Sequence, residues 1–167
     1  MDSPDDLGAA IEAAERFDPK VLVEAGAVDA REVEIGVLQG LGGAAPETSE
    51  IAEIRVDDAH QFYDFEAKYL PEGNTALEIP ADLEDHLAAK VRALAVQAFA
   101  ALDVEGLARV DFFVFPDDRV VVNEVETMPG FTSTSMFPRM WAASGMAYPE
   151  LLDRLVQLAL ERPTGLR

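Results

Sequence analysis

The order of pattern types along the chain predicts an α+β fold, an antiparallel sheet with helices on one side. Three observations carry that expectation. Strand-like runs follow one another instead of alternating with helices. One long helical stripe separates them from a second strand pair. That pair, within Leu107–Met136 (LARVDFFVFPDDRVVVNEVETMPGFTSTSM), reads as a hairpin leading into a Gly/Ser/Thr-rich loop.

Taken in order, Ser3-Pro4-Asp5-Asp6 is capping chemistry with proline at the first helical position, and a helix should run to about Arg16 with Leu7, Ile11 and Ala14 facing inward. Asp18-Pro19 breaks it. Lys20–Glu24 (KVLVE) is expected to be a short buried strand, and Arg31–Gln39 (REVEIGVLQ) a longer alternating one, with a bend at Gly26 and Asp29-Ala30. Gly40–Ser49 is turn-rich, and Glu50–Ile54 is a third strand. His60–Gly73 (HQFYDFEAKYLPEG) carries four aromatics with no clean period, which fits a lid or a loop pinned to the core. Leu77–Pro80 is a short extended piece. Asp82 should cap a helix over Leu83–Leu102 whose stripe is Leu87, Val91, Leu94, Ala98 and Leu102. His86 and His60 read as solvent-exposed. Ser135–Ser144 reads as a short helix. A last helix is expected over Pro149–Glu161 with Leu151, Leu152, Leu155, Val156 and Ala159 inside.

At 167 residues the chain is expected to be one domain, large enough to bury about 70% of its unfolded surface. Its 49% hydrophobic and 27% charged content is ordinary for a soluble globular protein. No apolar run is long enough to span a bilayer, the N-terminus lacks the order of a signal peptide, and there is no cysteine, which together fit a cytoplasmic location. A net charge of −19 argues against nucleic-acid partners. It also means that phosphate charge must be met by Mg²⁺, arginines, backbone N–H groups or residues outside this chain, since Lys20, Lys68 and Lys90 are the lysines available.

The hairpin carries the chemistry. Alternate side chains of a strand share a face, so Arg109 and Asp111 lie on one side of the first strand, and Glu124 and Glu126 on one side of the second. If pairing brings those faces together, three carboxylates and one guanidinium converge. Two carboxylates about 4 Å apart repel by roughly 4 kcal/mol at an effective dielectric of ~20, so such a cluster needs a cation or raised pKa values. Hard oxygen ligands beside a loop suit Mg²⁺ with substrate phosphates. The plainer alternative is an exposed acidic strand face with a cross-strand Arg109–Glu124 ion pair.

The segment Asn123–Ser135 (NEVETMPGFTSTS), with ARVDFFV before it, closely resembles the C-terminal ATP-grasp lobe of D-alanine–D-alanine ligases. The likeness runs backwards, in order, through Glu78–Leu83 (EIPADL), Phe62–Leu70 (FYDFEAKYL), Arg31–Leu38 (REVEIGVL) and Lys20–Glu24 (KVLVE), and so covers nearly the whole chain. It implies ATP and Mg²⁺, with Mn²⁺ as the alternative ion, and D-alanine as substrate. It also implies a ligation for peptidoglycan precursors in which the first D-alanine becomes an acyl phosphate that the amine of the second attacks. Residue by residue, it implies Asp111 and Glu124 as metal ligands and Arg109 as the group steadying the transferring phosphoryl. Glu24 would lie at the hinge near adenine, Glu32 at the ribose, and Lys68 at the phosphates. Tyr69 would be the loop tyrosine linked to dipeptide formation. Gly130 would offer backbone near substrate, and Ser135 with Met136 would contact the second D-alanine. At Glu126 the family carries Asn; Glu can still ligate Mg²⁺ but adds negative charge beside a triphosphate.

The likeness is to a C-terminal portion only. An N-terminal substrate domain and a preceding lobe with a phosphate loop are expected to be absent, which leaves one jaw of a two-lobed site, close to inert alone and prone to associate with another copy or with a complementing N-terminal portion. Two further readings stand beside a ligase completed in trans: a non-catalytic Mg²⁺-nucleotide-binding remnant, and a ligase of the same fold joining another carboxylate and amine.

Overall fold

The computed structural model describes residues 3–56, 75–132 and 134–163. Within them β1 (Arg31–Leu38), β2 (Glu47–Val56), β3 (Thr75–Glu78), β4 (Leu107–Val114) and β5 (Val120–Glu126) form one antiparallel sheet in the order β3-β2-β1-β4-β5. The helices are α1 (Leu7–Ala14), α2 (Asp85–Ala101), α3 (Met136–Ala143) and α4 (Tyr148–Glu161).

Strand parity divides the protein into two layers. Along β4 the burial alternates strictly, with Ala108, Val110, Phe112 and Val114 turned to one face. Val33, Ile35 and Val37 of β1 join them, and α2 covers that face with Leu87, Val91, Ala95 and Phe99. The opposite face carries Leu38, on which Phe137, Trp141 and Leu151 of α3 and α4 pack, with Leu107, Phe131 and Leu155 around them. Helices therefore cover both sides of the sheet, not one as the element order implied. The reason lies in β1, whose two faces are both apolar at the Leu38 end and must both be covered.

A bulge at Gly36 makes this second layer possible. Between the pairs Ile35–Ile51 and Val37–Thr48, two residues of β2, Ser49 and Glu50, stand opposite Gly36 alone. The buried Ser49 hydroxyl accepts the Gly36 N–H at 2.8 Å and donates to the Glu50 carbonyl at 2.7 Å, so the backbone donor left by the skipped ladder bond is satisfied. Arg92 of α2 clamps the same bulge, donating to the Ser49 carbonyl and to Glu50 Oε2. At the other end of β1, Arg31 makes a bidentate pair with the buried Glu53 at 2.7 and 2.8 Å.

Several local expectations are corrected. Lys20–Glu24 is not a strand and is not buried; Leu22 is 73% exposed. A strand needs a neighbour for its N–H and C=O groups, and the described sheet pairs nothing with KVLVE. The first helix ends at Ala14, and no residue of it is buried; Leu7 and Ile11 are half-buried and Ala14 is exposed. On α2 the buried stripe runs Leu87, Val91, Ala95, Phe99, while Leu102 sits beyond the last turn, 63% exposed. Its N-cap is Glu84, not Asp82. On α4 the inner line is Leu151, Leu155 and Leu158, and Leu152, Val156 and Ala159 face outward. His86 is exposed as expected, lying 3.4 Å from Glu84 and 3.3 Å from Asp118. The His60–Gly73 segment lies outside the described residues.

Gly36 has no room for a side chain: an added Cβ would lie 2.7 Å from Trp141 Nε1, 3.1 Å from Phe137 and 3.2 Å from Ser49 Oγ. Overpacking of this kind costs about 1–3 kcal/mol. Gly36→Ala is therefore expected to lower the unfolding free energy by that amount, read as a lower urea midpoint, with the fluorescence of Trp141, the one tryptophan of the chain, reporting the loosened layer. An unchanged midpoint and emission maximum would show that the contact yields freely.

Candidate active site

The β4–β5 ladder pairs Arg109 with Glu126 and Asp111 with Glu124, so the two faces that the sequence placed on separate strands do coincide. From the other side β1 brings Glu34 opposite Asp111 and Gly36 opposite Arg109. All these positions lie on the face away from α2, next to the layer formed by α3 and α4. A register shift in β5 between the partners of Asp111 and Phe112 keeps Glu124 and Glu126 on that face, while Val122 and Val121 pair further out.

Arg109 is the centre. Its Nε donates to Asp111 Oδ1 at 2.7 Å and its Nη2 to Asp111 Oδ2 at 2.7 Å, a bidentate fork. Glu34 Oε2 lies 3.4 Å from the same Nε, and Glu124 Oε1 lies 3.6 Å from the same Nη2. Glu34 is 4% exposed, the Arg109 and Asp111 side chains are 14% exposed, and the Glu124 side chain is 54% exposed. Burial works against the guanidinium charge, but the Asp111 hydrogen bonds and the charges of Glu34, Asp111 and Glu124 outweigh it and hold Arg109 above its ordinary range. Burial also pushes the Asp111 carboxyl up; Arg109 pulls it down, and Glu124 pushes it up again, leaving it raised. Three carboxylates facing one guanidinium leave negative charge in excess, which a divalent cation would balance. The donor set, carboxylate oxygens beside an open loop, suits a hard ion such as Mg²⁺.

The expected three-carboxylate set is not assembled as such. Among the described residues no three acidic or histidine side chains are gathered closely enough to hold a metal ion. Asp111 gives both oxygens to Arg109, and Glu126 Oε1 accepts the Met128 N–H at 3.3 Å. Among the described residues, Arg109 takes the place at the centre of the carboxylates.

Beyond β5 the loop is held by its own hydroxyls. Ser135 Oγ accepts the Thr132 N–H at 3.0 Å and lies 2.8 Å from Thr132 Oγ1, while the Tyr148 hydroxyl donates to the Phe131 carbonyl at 2.9 Å. Gly130 is exposed, and a Cβ there would stand 3.1 Å from Ser135 Oγ, so these two expected site residues are neighbours. Ser135 precedes α3, and Met136 is its first residue. Glu32 lies on the Glu34 face of β1, opposite Phe113 and Ile54. Glu24 is exposed in the irregular segment before β1. Lys68 and Tyr69 lie outside the described residues.

Glu34 is what sequence reasoning missed. The signal was present in REVEIGVL: a carboxylate two residues after Glu32, in mid-strand among apolar residues, is costly to bury unless it meets a positive charge. Only the β1–β4 register shows that the charge is Arg109.

Residues 1–157 match the family model described as D-ala D-ala ligase C-terminus. A D-alanine–D-alanine ligase of Kineococcus radiotolerans is 58% identical over 168 aligned positions, covering 99% of this chain and 44% of that ligase. The chain thus spans less than half the length of that relative. Among solved structures, the D-alanine–D-alanine ligase of Coxiella burnetii superposes with a TM-score of 0.75 at 35% identity, over 97% of this chain and 40% of its own. That of Bacillus anthracis complexed with ATP gives a TM-score of 0.74 at 28% identity, over 95% of this chain and 48% of its own. The fold is the ATP-grasp C-terminal fold of those structures, and the chain belongs to the D-alanine–D-alanine ligase family, matching its C-terminal part.

Proposed function

We propose that this chain is the metal- and phosphoryl-handling jaw of a cytoplasmic, ATP-dependent D-alanine–D-alanine ligase that supplies peptidoglycan precursors, working with an N-terminal portion that holds the first D-alanine and closes over ATP. The reading rests on one observation above all: β1, β4 and β5 bring Arg109, Asp111 and Glu124 together on one sheet face.

In this reading Asp111 and Glu124 would hold Mg²⁺, with Glu126 as a further oxygen donor, and the ion would supply positive charge against the phosphates. A carboxylate oxygen of the first D-alanine attacks the γ-phosphorus of ATP, the bond to ADP breaks, and an acyl phosphate forms. The amine of the second D-alanine then attacks the acyl carbon, phosphate leaves, and the nitrogen gives up its proton. Arg109, already fixed as a planar fork, stands where negative charge develops on the transferring group and needs little reorganisation. Gly130 lets backbone approach substrate, and Ser135, its hydroxyl oriented by Thr132, meets the second D-alanine with Met136. Glu24 and Glu32 serve adenine and ribose, Lys68 the phosphates, and Tyr69 the choice of an amine nucleophile. Positioning accounts for much of the rate in phosphoryl transfer, so the chain alone is expected to bind without turning over.

Calorimetric titration of Mg²⁺·ATP into the purified chain tests this. Binding should be measurable and should disappear in Asp111→Ala/Glu124→Ala; binding that survives the double substitution would remove the hairpin from the site. Dipeptide synthesis should appear only after the N-terminal portion of a relative is added. Glu126 gives a second test. If it sits beside the triphosphate, Glu126→Asn should strengthen Mg²⁺·ATP binding by about 1 kcal/mol, roughly fivefold in affinity. An unchanged affinity and metal preference would take Glu126 off the ligand set.

A further inference from the structure

We propose that Glu34 is a positioning residue that keeps Arg109 in place while Asp111 and Glu124 turn to a divalent cation, an inference that rests on the cation site proposed above. The two guanidinium nitrogens that face Asp111 are each shared. Nε has Asp111 Oδ1 at 2.7 Å and Glu34 Oε2 at 3.4 Å, and Nη2 has Asp111 Oδ2 at 2.7 Å and Glu124 Oε1 at 3.6 Å. Both Asp111 oxygens are thus committed to arginine, and ligating a cation draws electron density and orientation away from that fork. The Glu124 side chain, 54% exposed, is free to follow the cation.

Glu34 is not. It lies in mid-β1, paired to Ala52 of β2 on one side and Asp111 of β4 on the other, and is 4% exposed. Its carboxylate stays in the sheet face while its neighbours reorient. A buried guanidinium deprived of counter-charge is strongly unfavourable, and Glu34 supplies that charge at a distance a small side-chain adjustment turns into a full hydrogen bond. Arg109 thereby passes its Nε–H from Asp111 to Glu34 and keeps its orientation toward the open face. The same carboxylate is too deep to reach a cation on that face, which separates its role from that of the ligands.

The test follows the Arg109 Nε–H signal by NMR as Mg²⁺ is added to the full chain. In the wild type the signal should shift and remain protected at saturation. In Glu34→Gln, Mg²⁺ affinity should stay within about threefold, but with Mg²⁺ bound the Nε–H should exchange with solvent roughly tenfold faster or more, the scale of one charge-assisted hydrogen bond. A merely structural role would speed exchange equally with and without Mg²⁺. Equal protection in Glu34→Gln at Mg²⁺ saturation overturns the inference alone, as does loss of Mg²⁺ binding in that variant, which would make Glu34 a ligand. Loss of the wild-type signal on Mg²⁺ addition overturns it too, whether or not the variant folds. A wild type that binds no Mg²⁺ overturns the cation site, and the inference with it.

Discussion

The register between β1 and β4 is the constraint on which the rest depends. It places Val33 beside Phe112 and Ile35 beside Val110 under α2, and by the same pairing it places Glu34 beside Asp111 and Gly36 beside Arg109 on the other face. Strand side chains alternate with a period of two, so a slip by one residue would drive Glu34 into the α2 core and lift Ile35 out of it. The apolar residues fix the register through burial, and the charged group is positioned as a consequence. A buried carboxylate–guanidinium cluster adds little net stability, because desolvation costs several kcal/mol per ion, so the hydrophobic layer holds the charges in place and not the reverse.

Three arginines stand at junctions between elements. Arg31 ties the start of β1 to Glu53, Arg92 ties α2 to the Ser49–Glu50 bulge, and Arg109 gathers Asp111, Glu34 and Glu124. In a chain with net charge −19 the negative excess elsewhere is solvated, and repulsion there is screened over about 10 Å at moderate salt. The Arg109 group is partly dry, and its surplus of carboxylate is the electrostatic reason a divalent cation suits it.

The two halves of the second face cooperate through Gly36. Because it lacks a side chain, Trp141 and Phe137 approach the sheet, α3 seats, and Phe131 of the preceding loop packs on the same apolar layer. The residue that admits the apolar layer sits directly across from Arg109 in the ladder. Packing and chemistry are therefore adjacent on one strand, and a change in one reaches the other within a residue.

Much of this was legible in the residues themselves. The hairpin, its turn, the long helix and the last two helices follow from local periodicity and turn chemistry, and alternation puts Arg109 with Asp111 on one face of β4 and Glu124 with Glu126 on one face of β5. That the two faces coincide was decided by the register shift in β5, which local alternation does not reveal. Where sequence reading failed, the missing information was non-local. KVLVE has strand composition but no partner strand among the described residues, α1 has apolar residues but among the described residues none of them is fully buried, and Leu102, Leu152 and Val156 are apolar at positions where the helix axis has carried them off the core. By itself the sequence determined which residue types alternate, and through its motifs the family to which they belong. The tertiary structure decided the rest: which strands became neighbours, that helices cover both faces, and that Glu34, an unremarked acid in mid-strand, meets Arg109. Register is set by burial summed over several strands, and no single stretch of chain contains that sum.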